Sequence, residues 1–438
     1  MGEQTDREGG AFKGERSIKA LKCSKIVTDF QKNHYKETWE RASQGEPVIW
    51  TEVGVPQEIM HAMDIPTFFN PNWSAIIAAK QMAEHYLNVL NEQGYFRDLC
   101  RYCSIPLGYF LDDNPDIAPW GGVPKPAAFV MFGGDDPVFK IWELMAKKLN
   151  VPLYTYDISM IATLPEDNVW ETVDQLDAYN WVEDWRVDYG VKQTEGLIRF
   201  LESITGKTLS IARLKEVMEK SNEQFDLIGK TMDLAAQVPT PMRMGDHMSN
   251  LISTQFFRGH DFGLAQAQRL YDEVKERVDK GIAAYDNEKV RLMFTGVPNW
   301  FTPGFYDSFE EEYGAVFAWM GYLTLVPKWL IRRDISDPVR ALSSRYMNYG
   351  AGLLPPFFSR SLVYEAKKFK IDGAVYEKIE SCRFLSGALQ LSVLDLERNG
   401  IPVCVHEADM VDVRDWDDAK NKAKMKAFIE TVIERKKR

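Results

Sequence analysis

Five cysteines stand among 438 residues, and two of them share the phrase Cys100-Arg101-Tyr102-Cys103-Ser104. A third, Cys382, lies far downstream in Ser381-Cys382-Arg383. Thiolates are the preferred protein ligands of iron–sulfur clusters, and cysteines converging from distant parts of a chain are one way to hold such a group. The competing reading is that these are buried free thiols packed as small hydrophobes. Cys103 and Cys382 are both expected just past strand or helix ends. There Ser104 and Ser381 could donate hydrogen bonds to cluster sulfurs, and Arg101 and Arg383 could lower the thiol pKa. Cys404 lies inside an apolar run, Pro402-Val403-Cys404-Val405, and is expected to be a packed thiol.

Other motifs carry less. Gly206-Lys207-Thr208 has the ending of a phosphate-binding P-loop, but Leu201 occupies the place of its first glycine and no apolar strand precedes it. It is expected to be a turn whose Ser210 hydroxyl caps the next helix. The six histidines, at 34, 61, 85, 247, 260 and 406, show no metal-ligand spacing. Glu407-Ala408-Asp409 follows the strand holding Cys404, at the carboxyl end where open α/β sheets place their ligands.

The elements positioning these residues follow from apolar patterning. Short runs at 48–51, 127–132, 152–156, 290–294, 314–317, 372–376 and 402–405 predict strands. A helix spanning 137–149 between two of them makes a βαβ unit, and hence a parallel sheet. Further helices are expected over 26–43, 75–90 and 419–434, and one opens at Glu58. The stretch from 168 to 289 is almost wholly helical, with stripes such as Leu197, Phe200 and Leu201, read as core. The expected organisation is a tail and helices over 1–46, a first α/β domain over 47–165, a helical region over 166–289 and a second α/β domain over 290–438.

Bulk properties exclude several classes. Acidic side chains number 64 against 53 basic ones, a net charge of −11, which argues against nucleic acid as a partner. No apolar run is long enough to span a membrane, and the N-terminus lacks the apolar stretch of a secretory signal. An odd cysteine count in a long chain points away from a disulfide framework and toward a reducing cytoplasm.

Four segments, in order and spacing, resemble the benzoyl-CoA reductase / 2-hydroxyacyl-CoA dehydratase family. They are Cys100-Arg101-Tyr102-Cys103-Ser104-Ile105-Pro106-Leu107-Gly108; Gly206-Lys207-Thr208-Leu209-Ser210; Asp372-Gly373-Ala374-Val375 with Ser381-Cys382-Arg383; and the run from Gly400 to Met410. Pro56-Gln57-Glu58 and Ala62 with Ile65-Pro66 extend the likeness, which covers the chain from about Pro47 to Ile433. Within that family the pattern looks most like the larger, beta-type non-ATPase subunit of ATP-dependent benzoyl-CoA reductase.

The resemblance implies two Rossmann-like, flavodoxin-like parallel-sheet domains with a helical N-terminus and a helical insert. It implies a [4Fe-4S] cluster, with iron held by Cys103 and Cys382. Where the family has a middle cysteine after the strand beginning at Lys125, this chain reads Phe132-Gly133-Gly134-Asp135-Asp136. A third ligand could then be Cys100, a carboxylate such as Asp135, a water, or a group from a partner chain. Glu58 and Glu407 match family positions and are expected to handle protons. The implied partners are a homologous smaller iron–sulfur subunit, two ATPase activator subunits, ferredoxin, and benzoyl-CoA or a related acyl-CoA. The implied reaction is a Birch-like reduction of benzoyl-CoA to cyclohexa-1,5-diene-1-carbonyl-CoA. The alternatives are a 2-hydroxyacyl-CoA dehydratase subunit and a scaffold subunit that shapes the CoA pocket.

Overall fold

Along the central strands successive side chains enter different cores. Ala128 and Val130 join one core with Leu197 and Leu214, while Phe129 and Met131 pack on the opposite face with Trp50, Trp73 and Trp142. This is the period-two geometry of a strand, and burial on both faces is what a parallel sheet under helices requires. The computed structural model describes residues 14–112, 114, 117–158, 183–323, 334–352 and 354–438.

The first sheet comprises β1 (Ile49–Thr51), β2 (Thr67–Phe69), β3 (Ala128–Phe132) and β4 (Leu153–Tyr156). Its order is β2-β1-β3-β4, parallel throughout. The second comprises β5 (Val290–Thr295), β6 (Ala315–Met320), β7 (Gly373–Lys378) and β8 (Val403–Glu407), in the order β6-β5-β7-β8 and again parallel. The same doubly wound order occurs twice, so the expected pair of Rossmann-like, flavodoxin-like sheets is present. Each order reverses once, between β1 and β3 and between β5 and β7, and a crevice opens there at the carboxyl ends. The short β2 is absent from the sequence reading, and β6 runs to Met320 where a strand ending at 317 was expected.

Between the sheets stand the helices Asp184–Thr205, Ile211–Ala235, Met244–Phe256 and Asp261–Asp279. Residues 159–182, where part of the helical region and a domain boundary were expected, lie outside the described residues. Leu197, Leu201, Met218, Leu270 and Val274 share one core with Ile49, Val130, Met293 and Ala374, so the helical region packs against both sheets. The P-loop reading is excluded by local structure. Gly206 takes φ +68° as the left-handed cap of the first of these helices, and Ser210 Oγ accepts from Arg213 N at 3.3 Å to start the next. Among the described residues no helix is long and apolar enough to cross a membrane.

The expectation of a loose tail over the first 20 residues fails where they are described. Ile18 N donates to Asp307 Oδ2 at 2.7 Å, and Ala20 N and Leu21 N donate to Asp246 at 3.1 Å each. Buried carboxyls from distant elements thus satisfy a segment whose backbone makes no sheet. Asp246→Ala removes the acceptor for Ala20, Leu21, Ser24 and Arg243 together. It is expected to cost about 2 kcal/mol and to expose Lys19 and Lys22 to trypsin. Limited proteolysis with denaturant titration checks this, and an unchanged digest would contradict it.

Candidate functional site

The crevices of the two sheets supply the residues that meet. Glu52 follows β1, Gly133-Gly134-Asp135 follows β3, and Ile379 to Cys382 follows β7. At Gly134 a Cβ would lie 2.1 Å from the Phe132 ring, so a larger residue there would have to displace that ring. The helix Arg101–Leu111 opens with Cys100 at its N-cap and Cys103 in its first turn.

All three thiols are buried, with Cys100 3%, Cys103 8% and Cys382 5% exposed. Cys100 lies close enough to both Cys103 and Cys382 for each to perturb its thiol, which places it near the two residues expected to be ligands. The contact with Cys103, together with burial, pushes the Cys100 thiol well up, outweighing the opposing effect of Cys382. Cys382 is likewise pushed up by Cys100 and by burial. Cys103 is lowered by Cys100, but burial and the carboxyls of Asp135 and Glu52 leave it raised.

These shifts correct the roles expected of the neighbouring arginines and serines. Arg101 does not acidify a thiol: its guanidinium lies 3.5, 3.3 and 3.5 Å from Asp409, Asp412 and Asp415. Arg383 is largely exposed, 3.4 Å from Asp136. Ser381 Oγ donates to Asp409 Oδ2 at 2.6 Å and Ser104 Oγ donates to the Arg101 carbonyl at 3.2 Å, so both hydroxyls are engaged away from sulfur. What Arg101 and Ser381 do instead is fasten the Cys100–Cys103 turn and the Cys382 loop to one carboxylate, Asp409.

Two carboxyls complete the cluster. Glu52 Oε1 accepts from Phe132 N at 2.6 Å. Burial pushes Glu52 up to about 8, partly offset by that amide and reinforced by Asp135. Burial raises Asp135 to about 6, offset in part by the Val138 amide and Arg383, and its Oδ1 is buried without a hydrogen-bond partner. Sequence reasoning missed Glu52. The signal was available, because it is the first residue past β1 at a sheet's point of reversal.

The direction of these shifts makes a stability prediction. Glu52 and Asp307 are both raised to about 8 by burial, so the folded state holds protons that the unfolded chain has already released. Stability therefore falls as pH rises from the ordinary carboxyl range through about 8. Below 6.5 His34, lowered to about 4 by desolvation, acts in the opposite sense, because the unfolded chain takes up a proton that the fold refuses. Between pH 6.5 and 8 only the carboxyl effect remains of these two. The thermal midpoint of the metal-free chain is expected to fall across that window, and the Glu52→Gln/Asp307→Asn double variant is expected to flatten the profile.

Glu58 and Glu407 do not join the thiols. Glu58 is wholly buried, its Oε1 2.8 Å from Arg345 Nη1 and its Oε2 accepting from Tyr346 at 2.8 Å. The same guanidinium donates to Ser221 Oγ and Asn222 Oδ1 at 2.6 Å each. Glu407 is 64% exposed and paired with Lys378 at 3.2 Å, which holds its carboxyl below the usual range. It lines a separate cavity of about 280 Å³ with Lys378, Lys420 and Lys424, at the carboxyl end of β7 and β8.

Three of the histidines set aside on sequence gather elsewhere. His34, His61 and His260 line another cavity of about 280 Å³, walled by Phe30 and Phe257. All three are held neutral, chiefly by burial. Among the described residues no group of three or more His, Cys, Asp or Glu side chains is arranged to hold a metal ion. At the thiol site the three sulfurs, as they stand, do not enclose a centre. The donor set nevertheless fits an iron–sulfur cluster in kind, with three buried thiols and an orphaned carboxylate oxygen at one crevice. Binding would displace the thiol protons.

Residues 52–432 match the family model described as 2-hydroxyglutaryl-CoA dehydratase, D-component. The (R)-2-hydroxyisocaproyl-CoA dehydratase alpha subunit of Clostridioides difficile is 24% identical, over 94% of this chain and 96% of the relative. The (R)-phenyllactyl-CoA dehydratase alpha subunit of Clostridium sporogenes is 24% identical, over 96% and 98%. One of the benzoyl-CoA reductase subunits of Thauera aromatica is also 24% identical, over 78% of each chain.

Proposed function

We propose that this chain, which belongs to the 2-hydroxyglutaryl-CoA dehydratase D-component family, is one subunit of an enzyme that removes water from a 2-hydroxyacyl-CoA thioester. The observation that carries this reading is the meeting of Cys103 and Cys382, from opposite sheets, beside a buried carboxyl raised to about 8. Cys103 and Cys382 would hold an iron–sulfur cluster there, and the chemistry it supplies when bound is one-electron transfer to the thioester. The relatives named as alpha subunits support a second chain as partner. ATPase activator subunits and ferredoxin remain the proposed electron source, since this chain has no P-loop of its own.

The chain's own residues then have defined tasks. Glu52, protonated below about pH 8, donates its proton to the departing hydroxyl. The resulting carboxylate takes the proton from the adjacent β-carbon as the double bond forms. Water leaves, a 2-enoyl-CoA remains, and Glu52 ends as it began. Phe132 N, bonded to Glu52 Oε1, fixes that carboxyl in place and stabilises its ionised form between the two transfers. The rings of Tyr102, Tyr322 and Tyr349, beside Cys103, Cys382 and Glu52 respectively, keep water from the site.

The ring-reductase reading stands second, supported by the match to the benzoyl-CoA reductase chain over 78% of this one. The full complex, supplied with reductant and ATP, is to be offered a 2-hydroxyacyl-CoA and benzoyl-CoA. Formation of the 2-enoyl-CoA is expected. A diene from benzoyl-CoA with no dehydration would favour the second reading, and neither product would favour a scaffold. Cys382→Ala is expected to lower iron bound after anaerobic reconstitution at least fivefold. Iron retained at the wild-type level would remove Cys382 from the ligand set.

A further inference from the structure

We propose that the cavity enclosed by His34, His61, His260, Phe30 and Phe257 binds a small organic ammonium ion that carries at least one N–H. The cavity holds about 280 Å³ and shares no lining residue with the thiol crevice, so the inference stands apart from the proposed dehydration.

Rings form the walls. Phe30 and His34 come from the helix Cys23–Ser43, His61 from the helix Gln57–Ala62, and Phe257 and His260 from the turn before the helix Asp261–Asp279. Phe257 stands edge-on to Phe30, His34 and His260, with centroids 4.8, 4.9 and 5.5 Å apart, and His61 stands edge-on to His260 at 5.2 Å. Rings crossed at such angles around one cavity turn faces as well as edges into it. Aromatic cages of this kind attract ammonium ions through the negative faces of their rings. Phe262, stacked on Phe30 at 3.4 Å, holds one wall in place.

The imidazoles add lone pairs. Burial holds all three neutral, and a neutral imidazole keeps one unprotonated nitrogen. At His61 the Phe256 carbonyl favours a proton on the nitrogen facing it, and Nε2 is buried with no hydrogen-bond partner. A buried orphan acceptor is costly, and a ligand N–H would satisfy it. His34 Nε2 meets the Thr67 carbonyl at 3.1 Å, which only accepts, so its Nδ1 keeps the lone pair. A metal ion is the other natural occupant of three imidazoles, but among the described residues no such group is arranged to hold one. The rim selects the sign of charge. Glu37, Asp64 and Asp261 line it against two guanidiniums, and both of these are engaged, Arg41 by Glu46 and Arg213 by Glu216 at 2.6 Å each. Asp64 and Asp261 pair with Arg41 and Lys220 yet stay 83% and 77% exposed, open to a ligand from solvent. An anion would meet a surplus of carboxylates there. An alkylammonium keeps its proton where these histidines lose theirs, because it ordinarily titrates at about 10.4 and an imidazole at about 6.5.

The test titrates the full chain at neutral pH with butylammonium, tetramethylammonium, 1-butanol and butyrate, reading heat by calorimetry. Butylammonium is expected to saturate one site, with 1-butanol about tenfold weaker and butyrate silent. His61→Leu is expected to weaken butylammonium about fivefold and to leave tetramethylammonium, which has no N–H, unchanged. Phe30→Leu is expected to weaken both ions. Denaturant curves identify any variant that does not fold, and the imidazole proton resonances of the wild-type chain give a readout that needs no variant. Those resonances are expected to shift with butylammonium and not with butyrate. Binding of 1-butanol as tight as that of butylammonium would overturn the proposal, as would the absence of both heat and resonance shift with butylammonium. Equal weakening of both ions in a folded His61→Leu chain would overturn the N–H assignment.

Discussion

Arg345→Met is expected to destabilise the folded chain by about 3–5 kcal/mol, because it removes the cation paired with the Glu58 carboxyl in a wholly buried site. Both side chains are 0% exposed, and the pair is tied to Tyr346, Ser221 and Asn222 by four further hydrogen bonds or contacts of the same network. An intact buried pair returns little net stability, since Coulomb attraction and desolvation nearly cancel. Breaking it removes only the attraction. The Arg345→Met/Glu58→Gln double variant is therefore expected to recover much of the loss. Urea unfolding of the two single variants and the double variant measures the coupling. A shift under about 1 kcal/mol for Arg345→Met would show that the pair does not carry this weight.

The same experiment bears on Glu58 as a proton handler. Its two oxygens face Arg345 and Tyr346, and the helix Gln57–Ala62 that carries it is held by Arg258 Nη2 on the Val53 and Val55 carbonyls. With both oxygens engaged by buried partners, this carboxyl has no open face toward a substrate. Activity of Glu58→Gln is expected to fall only in proportion to its folded fraction.

How far the sequence could be read depended on what each signal encodes. Apolar runs at 127–132 and 290–294 mark strands buried on both faces, and those strands appear where the runs lie. β2 has only Thr67-Phe68-Phe69, directly after Pro66, and three residues cannot display a period. Cys103 and Cys382 are singled out by their surrounding phrases, with Cys100 as a possible third. Their nearness in space was not legible, because sequence spacing does not say that the start of one helix meets a loop following the other sheet. Arg101 was misread for a related reason. Next to a cysteine in sequence it looks like an acidifying charge, but its partners Asp409, Asp412 and Asp415 arrive from beyond β8. The His34, His61 and His260 group comes from three separate elements, so no spacing rule could assemble it.

Glu52→Gln is expected to reduce turnover by roughly 10²–10⁴-fold, the range usual for loss of a positioned acid–base group. The amide keeps the size of the side chain and an oxygen to accept from Phe132 N, so the strand end and the nearby thiols should stay in place. What it loses is a proton that can leave and return. Because burial holds the wild-type carboxyl near 8, the proton it must donate is present at neutral pH and is lost as pH rises through 8. Wild-type activity is thus expected to fall above about pH 8, and the residual activity of Glu52→Gln to show no such limb. Bound iron separates this role from a structural one. A proton carrier can be removed without changing iron content, whereas collapse of the crevice would lower both together. An unchanged rate in Glu52→Gln, with the alkaline limb intact, would assign the proton to another group and leave Glu52 as an anchor for β3.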